Sequence, residues 1–227
     1  MKKFCFSESD ILLPKRVDMS KWAVLACDQF TSEPKYWKDL ESYVGKDYST
    51  LNLTLPEIYL SGDYSQRIES INKNMQKYLD GGVFKSFNNG FILTVRKTKF
   101  VEKRVGLIGK LDLECYDFKK GSKTPIRATE GTIEERIPPR LKIRENAIIE
   151  FPHIMVLIDD EKREIIEGVY KERNNLERIY SFDLNMDGGS IEGYFVKDTK
   201  NIIKKLLKLG CRRRLYKKYN SFDKLIF

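Results

Sequence analysis

Arginine and glutamate side chains are concentrated in one segment of the sequence, residues 124–147. The segment holds four arginines and four glutamates among three prolines and a glycine. Arginine forks bind carboxylate or phosphate bidentately, and a neighbouring glutamate can orient the fork, hold a metal ion or accept a proton. The segment is therefore a candidate site. The alternative interpretation is a solvated loop whose charges neutralise one another.

The order of these residues favours a site over a loop. The charged residues are spaced irregularly and do not follow one exposed helical face, and Pro138-Pro139 restricts the backbone between them. Glu130 and Glu135 are predicted to act as general base or magnesium ligand. The arginines are predicted to neutralise phosphate or a substrate carboxylate: Arg127, Arg136, Arg140 and Arg144.

Strands and helices alternate along the chain and would position these residues. Apolar patterns predict strands at residues 22–27, 91–97, 105–113, 153–158, 179–184 and 191–196, and helices near residues 34–44, 68–79, 161–170 and 201–209, with a short helix from Thr132. Strands 91–97 and 105–113 are expected to form a hairpin. The alternation predicts a mixed α/β (α+β) fold, a mixed sheet with flanking helices, as a single region over residues 1–227.

Asp28 is a third catalytic candidate. It comes directly after the predicted strand 22–27, which is where open α/β sheets place ligand groups. A turn or helix-capping aspartate is an equal alternative. The metal ligands themselves cannot be assigned from the sequence.

Composition narrows the class of protein. The chain has 227 residues, 41% of them hydrophobic, which is ample for a packed core. Its apolar runs are strand-length, far short of the roughly 20 residues of a membrane span, and its N-terminus lacks the pattern of a signal peptide, so a cytoplasmic protein without a membrane partner is expected. The four cysteines and one histidine have no zinc-site spacing and indicate buried free thiols.

The net charge of +9 is unevenly distributed. Residues 201–227 carry six lysines, three arginines and one aspartate, which leaves the rest of the chain nearly neutral. Apolar residues alternate with lysines there as in an amphipathic helix. Docking of that helix on the domain is the commoner explanation of such a pattern; nucleic-acid binding through residues Lys204 to Lys218 is the alternative.

Four segments together resemble a known family: Lys21-Trp-Ala-Val-Leu-Ala-Cys-Asp-Gln-Phe-Thr-Ser-Glu-Pro-Lys-Tyr-Trp37, Leu55-Pro-Glu-Ile-Tyr-Leu60, residues 126–140, and Met186-Asp-Gly-Gly189. They resemble domain-of-unknown-function family 1015 over essentially the whole chain. That family is similar, more distantly, to the ParB and sulfiredoxin superfamily, whose members bind nucleotides and include free-serine kinases. The resemblance implies a nucleoside triphosphate or diphosphate with magnesium as cofactor, and phosphoryl transfer to a small-molecule substrate.

The resemblance also bears on the C-terminus. Family members are longer and continue with a D-G-N-H or D-G-H-H motif, whereas Leu225-Ile226-Phe227 resembles the opening of a buried strand. We therefore expect the chain to be the N-terminal part of a longer domain, truncated before that motif and inactive or incomplete alone, with a second chain as a candidate supplier of the missing half. The alternative is a nucleotide-sensing or nucleic-acid-binding regulatory module.

Overall fold

The computed structural model describes most of the chain. Outside the description lie residues 1–4, 27–29, 31–32, 61, 118, 120, 123, 125, 129–133, 151–152, 159, 198, 203–214, 218–223 and 226–227. Backbone alone is described for residues 26, 127–128, 215–217 and 224–225. No helix of the described residues is long and apolar enough to cross a membrane.

The described elements are short strands and helices around one long strand. The strands are β1 (Phe6–Ser7), β2 (Ser9–Pro14), β3 (Leu25–Ala26), β4 (Phe84–Lys97), β5 (Arg104–Ile108), β6 (Lys110–Leu111), β7 (Tyr116–Asp117), β8 (Ile126–Ala128), β9 (Val156–Ile158), β10 (Glu177–Leu184), β11 (Gly189–Val196), β12 (Leu215–Lys217) and β13 (Lys224–Leu225). The helices are α1 (Met19–Trp22), α2 (Pro34–Val44), α3 (Ser65–Asp80), α4 (Ile137–Glu145) and α5 (Ile166–Lys171).

The largest sheet is antiparallel and has β4 at its centre. Its order is β10-β11-β4-β2, and β5 also pairs with β4. Along residues 84–90 the strand pairs with β2, and along residues 91–97 with β11. The fold is therefore mixed α+β, an antiparallel sheet with several flanking helices.

Both faces of β4 are covered. Residues 91–96 are all buried, and successive side chains of a strand point to opposite faces. Ile92 belongs to the main core, which includes Trp22 of α1, Leu40 of α2 and Met75 of α3. Phe91, Leu93 and Val95 belong to a second core with Val169 of α5 and Ile202. The helices thus lie where β4 presents apolar side chains.

A second sheet, of order β7-β8-β12-β9, leads into the charged segment. Strand β8 lies parallel to β7 and β12, and β12 runs antiparallel to β9. Residues 200–202 are helical and Ile202 is buried, as the docked-helix interpretation expects. Residues 215–217, within the range considered for nucleic acid, form an inner strand of this sheet.

Several predicted elements are confirmed. Helix α2 has the predicted bounds, α3 ends before Gly81, and β4 and β5 form the predicted hairpin. Strands are also found at the predicted ranges 179–184 and 191–196, as parts of β10 and β11. The strand predicted at residues 22–27 is wrong at its start, because Trp22 ends helix α1. Asp18 caps that helix by accepting a hydrogen bond from the Ser20 backbone amide at 2.9 Å. Of the described residues in this range, Leu25 and Ala26 form a strand.

The helix predicted at residues 161–170 begins later, at Ile166. A turn precedes it: the Arg163 amide donates to the Asp160 carbonyl at 2.9 Å, and the Ile165 amide donates to the Asp160 carboxylate at 2.9 Å. Aspartate side chains commonly stabilise turns in this way. Asp160 therefore has the structural role of a turn residue.

The turn between β10 and β11 gives a test of the sheet geometry. A Cβ on Gly189 would lie 1.9 Å from the Lys97 carbonyl oxygen, and its φ is 82°. We expect Gly189→Ala to destabilise the fold by about 3 kcal/mol or more, because the clash is with backbone and the left-handed φ adds strain.

Gly121→Ala is the matched control. Its φ is 81°, and nothing lies within 4 Å of an added Cβ. This variant should lose only about 1 kcal/mol, the conformational cost alone. Urea unfolding measures both variants, and equal losses would contradict the close approach of β11 to β4.

Candidate functional site

Two of the predicted arginines converge on one carboxylate, that of Glu57. Arg136 Nη2 lies 2.8 Å from Glu57 Oε2, and Arg140 Nη2 lies 3.2 Å from Glu57 Oε1. The exposed fraction of the side chain is 17% for Glu57, 28% for Arg136 and 37% for Arg140. We call these three residues the arginine clasp. Each carboxylate oxygen thus holds a different guanidinium.

Glu57 is positioned by a 3-10 turn, Glu57–Tyr59, that is anchored in the core. Pro56 precedes the turn in an extended conformation, and its carbonyl accepts from the Tyr59 amide at 3.1 Å. Leu55 and Ile58, on either side of Glu57, pack against the main core. Because Leu55 and Ile58 pack against the core, the backbone position of Glu57 is fixed near the surface.

The arginines are positioned by α4 and the turn before it. Pro138 and Pro139 occupy the first turn of α4, where proline loses no helical hydrogen bond. Pro139 is buried, and Ile143 packs against the main core. The expectation that the arginines do not share a helical face is wrong here, because residues 136, 140 and 144 are four apart and two of them meet the same glutamate.

The other predicted residues are not brought into the clasp by the described contacts. Arg144 pairs with Glu150 instead, at 2.5 Å, and that glutamate is 67% exposed. Glu135 is exposed on the 3-10 turn Glu134–Arg136, directly before Arg136. Asp28, Glu130 and the side chain of Arg127 lie outside the described part of the chain, so their roles stay predictions.

A second polar network lies next to Glu57 in the sequence. Tyr59 donates through its hydroxyl to Glu41 Oε1 at 2.7 Å, and the Arg67 guanidinium stacks 3.4 Å above the Tyr59 ring. Burial, reinforced by the hydrogen bond to Glu41, raises the pKa of Tyr59, so the hydroxyl remains a donor at neutral pH. This network ties the turn to α2 and α3.

Sequence reasoning missed Glu57, Glu41 and Arg67. The motif Leu55-Pro-Glu-Ile-Tyr-Leu60 did contain a signal, because a glutamate stands after a proline and between apolar residues. It did not identify the partners, which come from distant segments. Glu41 and Arg67 lie on exposed positions of α2 and α3, where charged residues are ordinary.

The residues Asp187-Gly188-Gly189 form a hairpin turn, and a side chain of strand β4 donates a hydrogen bond to its backbone. Met186 and Asp187 have φ of 50° and 56°, and the Gly188 carbonyl accepts from buried Arg96 Nη2 at 3.3 Å. An Asp-Gly pair in such a turn is typical of a β-hairpin. The turn therefore has a structural role in addition to its appearance in the family resemblance.

The clasp can bind an anion. Two guanidinium groups lie beside one carboxylate, and planar guanidinium forks suit the paired oxygens of an anion. Within the described residues, no group of three or more His, Cys, Asp or Glu side chains is arranged to hold a metal ion. A magnesium site at Glu130 or Glu135 stays a prediction.

Substitution of Glu57 tests the clasp. We expect Glu57→Gln to lower the free energy of unfolding by about 1–2 kcal/mol, because two partly buried guanidiniums lose their counter-charge. Glu150→Gln is the control, since it removes the exposed partner of Arg144 and should change stability by less than about 0.5 kcal/mol. Urea titration at low and high salt measures both; equal effects would show that the clasp is an ordinary surface ion pair.

Comparison with known proteins gives the family of the chain. The family described as "Protein of unknown function (DUF1015)" matches residues 11–216. No significant match was found among curated proteins or solved structures. The matched range includes all three residues of the clasp and confirms the resemblance predicted from the sequence. The chain belongs to the DUF1015 family of proteins of unknown function.

Proposed function

We propose that this chain contributes the anion-binding wall of a nucleotide-dependent phosphoryl-transfer site that acts on a small molecule. The observation that carries the proposal is the arginine clasp, in which Glu57 holds Arg136 and Arg140 side by side. The implied cofactor is a nucleoside triphosphate or diphosphate with magnesium. The distant similarity to nucleotide-binding proteins of the ParB and sulfiredoxin superfamily is consistent with this assignment.

The geometry of the clasp favours phosphate binding over a purely structural ion pair. Arginine side chains lose rotamer freedom when they bind, and Glu57 already restricts both of them. Both arginine side chains are partly exposed, so a ligand can reach them. A planar fork also suits the paired oxygens of a phosphate or carboxylate. The clasp is therefore preorganised for an anionic ligand.

Catalytic roles are assigned to the carboxylates that the sequence predicts. Glu135 directly precedes Arg136 and is exposed, so a proton acceptor stands next to the anion-binding arginines. Glu130 is the further candidate for general base or magnesium ligand, and Asp28 is a further catalytic candidate. Arg127 belongs to the same charged segment as Arg136 and Arg140, and its guanidinium would add positive charge to the site. A second chain that supplies the opposite wall of the site is part of the proposal.

Nucleotide binding tests the proposal. Thermal unfolding with ATP, ADP or CTP, each with and without magnesium, should show a raised Tm for at least one nucleotide, since a ligand that binds only the folded state stabilises it. Arg136→Lys and Arg140→Lys should each weaken apparent affinity by about tenfold, because lysine keeps the charge and loses the fork.

Arg144→Lys is the matched control, since Arg144 pairs with exposed Glu150 and lies outside the clasp. It should leave the affinity unchanged. The absence of a shift with every nucleotide would reject the proposal, and so would equal effects of the three variants. A shift without release of ADP from ATP, in the presence of free serine as the first acceptor, would favour the nucleotide-sensing alternative.

A further inference from the structure

Apolar side chains are exposed at the end of the main sheet where two hairpins turn. The connection between β4 and β5 exposes Phe100 over 79% of its surface, with exposed Val101 beside it. The turn between β10 and β11 exposes Met186. The two turns lie side by side, because Lys97 pairs with Ser190 and a Cβ on Gly189 would be 3.0 Å from the Thr98 Cα.

The connection that carries Phe100 and Val101 is also rich in lysine. Residues 97–104 contain four basic side chains and one carboxylate, Glu102, and the neighbouring turn adds Asp187. Lys99 Nζ lies 5.1 Å from the centroid of the Phe100 ring, and Lys103 Nζ lies 4.6 Å from that of Tyr170. We call this surface the hairpin-end patch: Phe100, Val101 and Met186 with Lys97, Lys99 and Lys103.

The connection that carries Phe100 is held in one conformation. Thr98 Oγ1 accepts from the backbone amides of Phe100 at 3.2 Å and Val101 at 3.1 Å, and the Thr98 amide donates to the Val101 carbonyl at 2.9 Å. The phenyl ring is therefore exposed by the geometry of the turn. A ring that is already presented costs little ordering when it binds a partner.

We propose that the hairpin-end patch binds the surface of a lipid bilayer that contains anionic lipids. Phe100 enters the boundary between headgroups and acyl chains, and the lysines meet the headgroup phosphates. Aromatic and aliphatic side chains next to lysines are the usual composition of such interfacial contacts. The lysine stems also contribute apolar surface while their ammonium groups stay in the headgroup layer.

The chemistry of the patch favours a bilayer over other partners. Single-stranded nucleic acid binds to several aromatic platforms along a basic groove, whereas Phe100 is accompanied by Val101 and Met186, which do not stack on bases. Protein interfaces are depleted in lysine at their centres. A bilayer with anionic lipids can contact both parts of the patch, because its acyl region accommodates the apolar side chains and its headgroup phosphates bind the lysines.

Vesicle binding tests this inference. The full chain is sedimented with vesicles of phosphatidylcholine alone and with vesicles that also contain phosphatidylserine; binding to the anionic vesicles, and weaker binding to the neutral ones, is expected. Phe100→Ser should weaken binding by about tenfold, because the aromatic ring no longer leaves water. Lys99→Glu should weaken it by about tenfold or more through reversed charge.

Two control variants separate the patch from general charge and hydrophobicity. Leu113→Ser removes an exposed apolar side chain elsewhere, and Lys46→Glu reverses an exposed charge next to α2; neither should change binding. Circular dichroism confirms that each variant is folded. The inference is overturned if the chain does not bind anionic vesicles, if Phe100→Ser binds as well as the unmodified chain, or if Lys46→Glu and Lys99→Glu weaken binding equally. Loss of binding to an RNA oligonucleotide in Phe100→Ser, without any vesicle binding, would assign the patch to nucleic acid instead.

Discussion

Between Phe91 and Arg96, strand β4 is buried on both of its faces, and it contributes side chains to both hydrophobic cores of the described residues. Apolar side chains on one face require α1, α2 and α3 as cover, and those on the other face require α5 and Ile202. Burial of each such side chain contributes about 2 kcal/mol. Arg96 adds a buried polar contact at the end of this stretch, where it holds the Gly188 carbonyl.

The same organisation explains where the arginine clasp lies. Apolar side chains fix both segments of the clasp. Burial of Pro139 and packing of Ile143 against the main core fix helix α4, and packing of Leu55 and Ile58 against the same core fixes the turn with Glu57. The charged groups meet because apolar neighbours fix both segments against one core. The ion pair is half exposed, so its contribution to stability is modest, and its main physical effect is on the orientation of the guanidiniums.

Strand β4 also connects the core to the hairpin-end patch. Its last residue, Lys97, is exposed one position after buried Arg96, and the chain then turns at Thr98. The register with β11 brings the Met186 turn to the same end. The lysines of the patch all lie within residues 97–104 and are close together in the sequence. The tertiary structure adds the exposed Met186 from a second turn, which the sequence does not place beside them.

The sequence by itself determined the elements whose signals are local. Helix α2 has Pro34 at its start, Gly45 with a φ of 57° at its end, and buried Tyr36, Trp37, Leu40 and Val44 at helical spacing. The segments resembling the family gave the family, and the alternation of strands and helices gave the fold class. Short apolar runs were less informative, since residues 22–27 fit strand or helix end equally well until the cap at Asp18 is known.

Only the tertiary structure decided which charges meet. Glu57 and Arg140 are 83 residues apart, and the sequence around Glu57 does not identify its partners. Spacing suggested scattered arginines, whereas α4 places Arg140 one turn beyond Arg136 and both beside the same carboxylate. The physical reason is that local sequence governs backbone conformation over a few residues, while the packing of apolar side chains across β4 determines which distant surfaces come together.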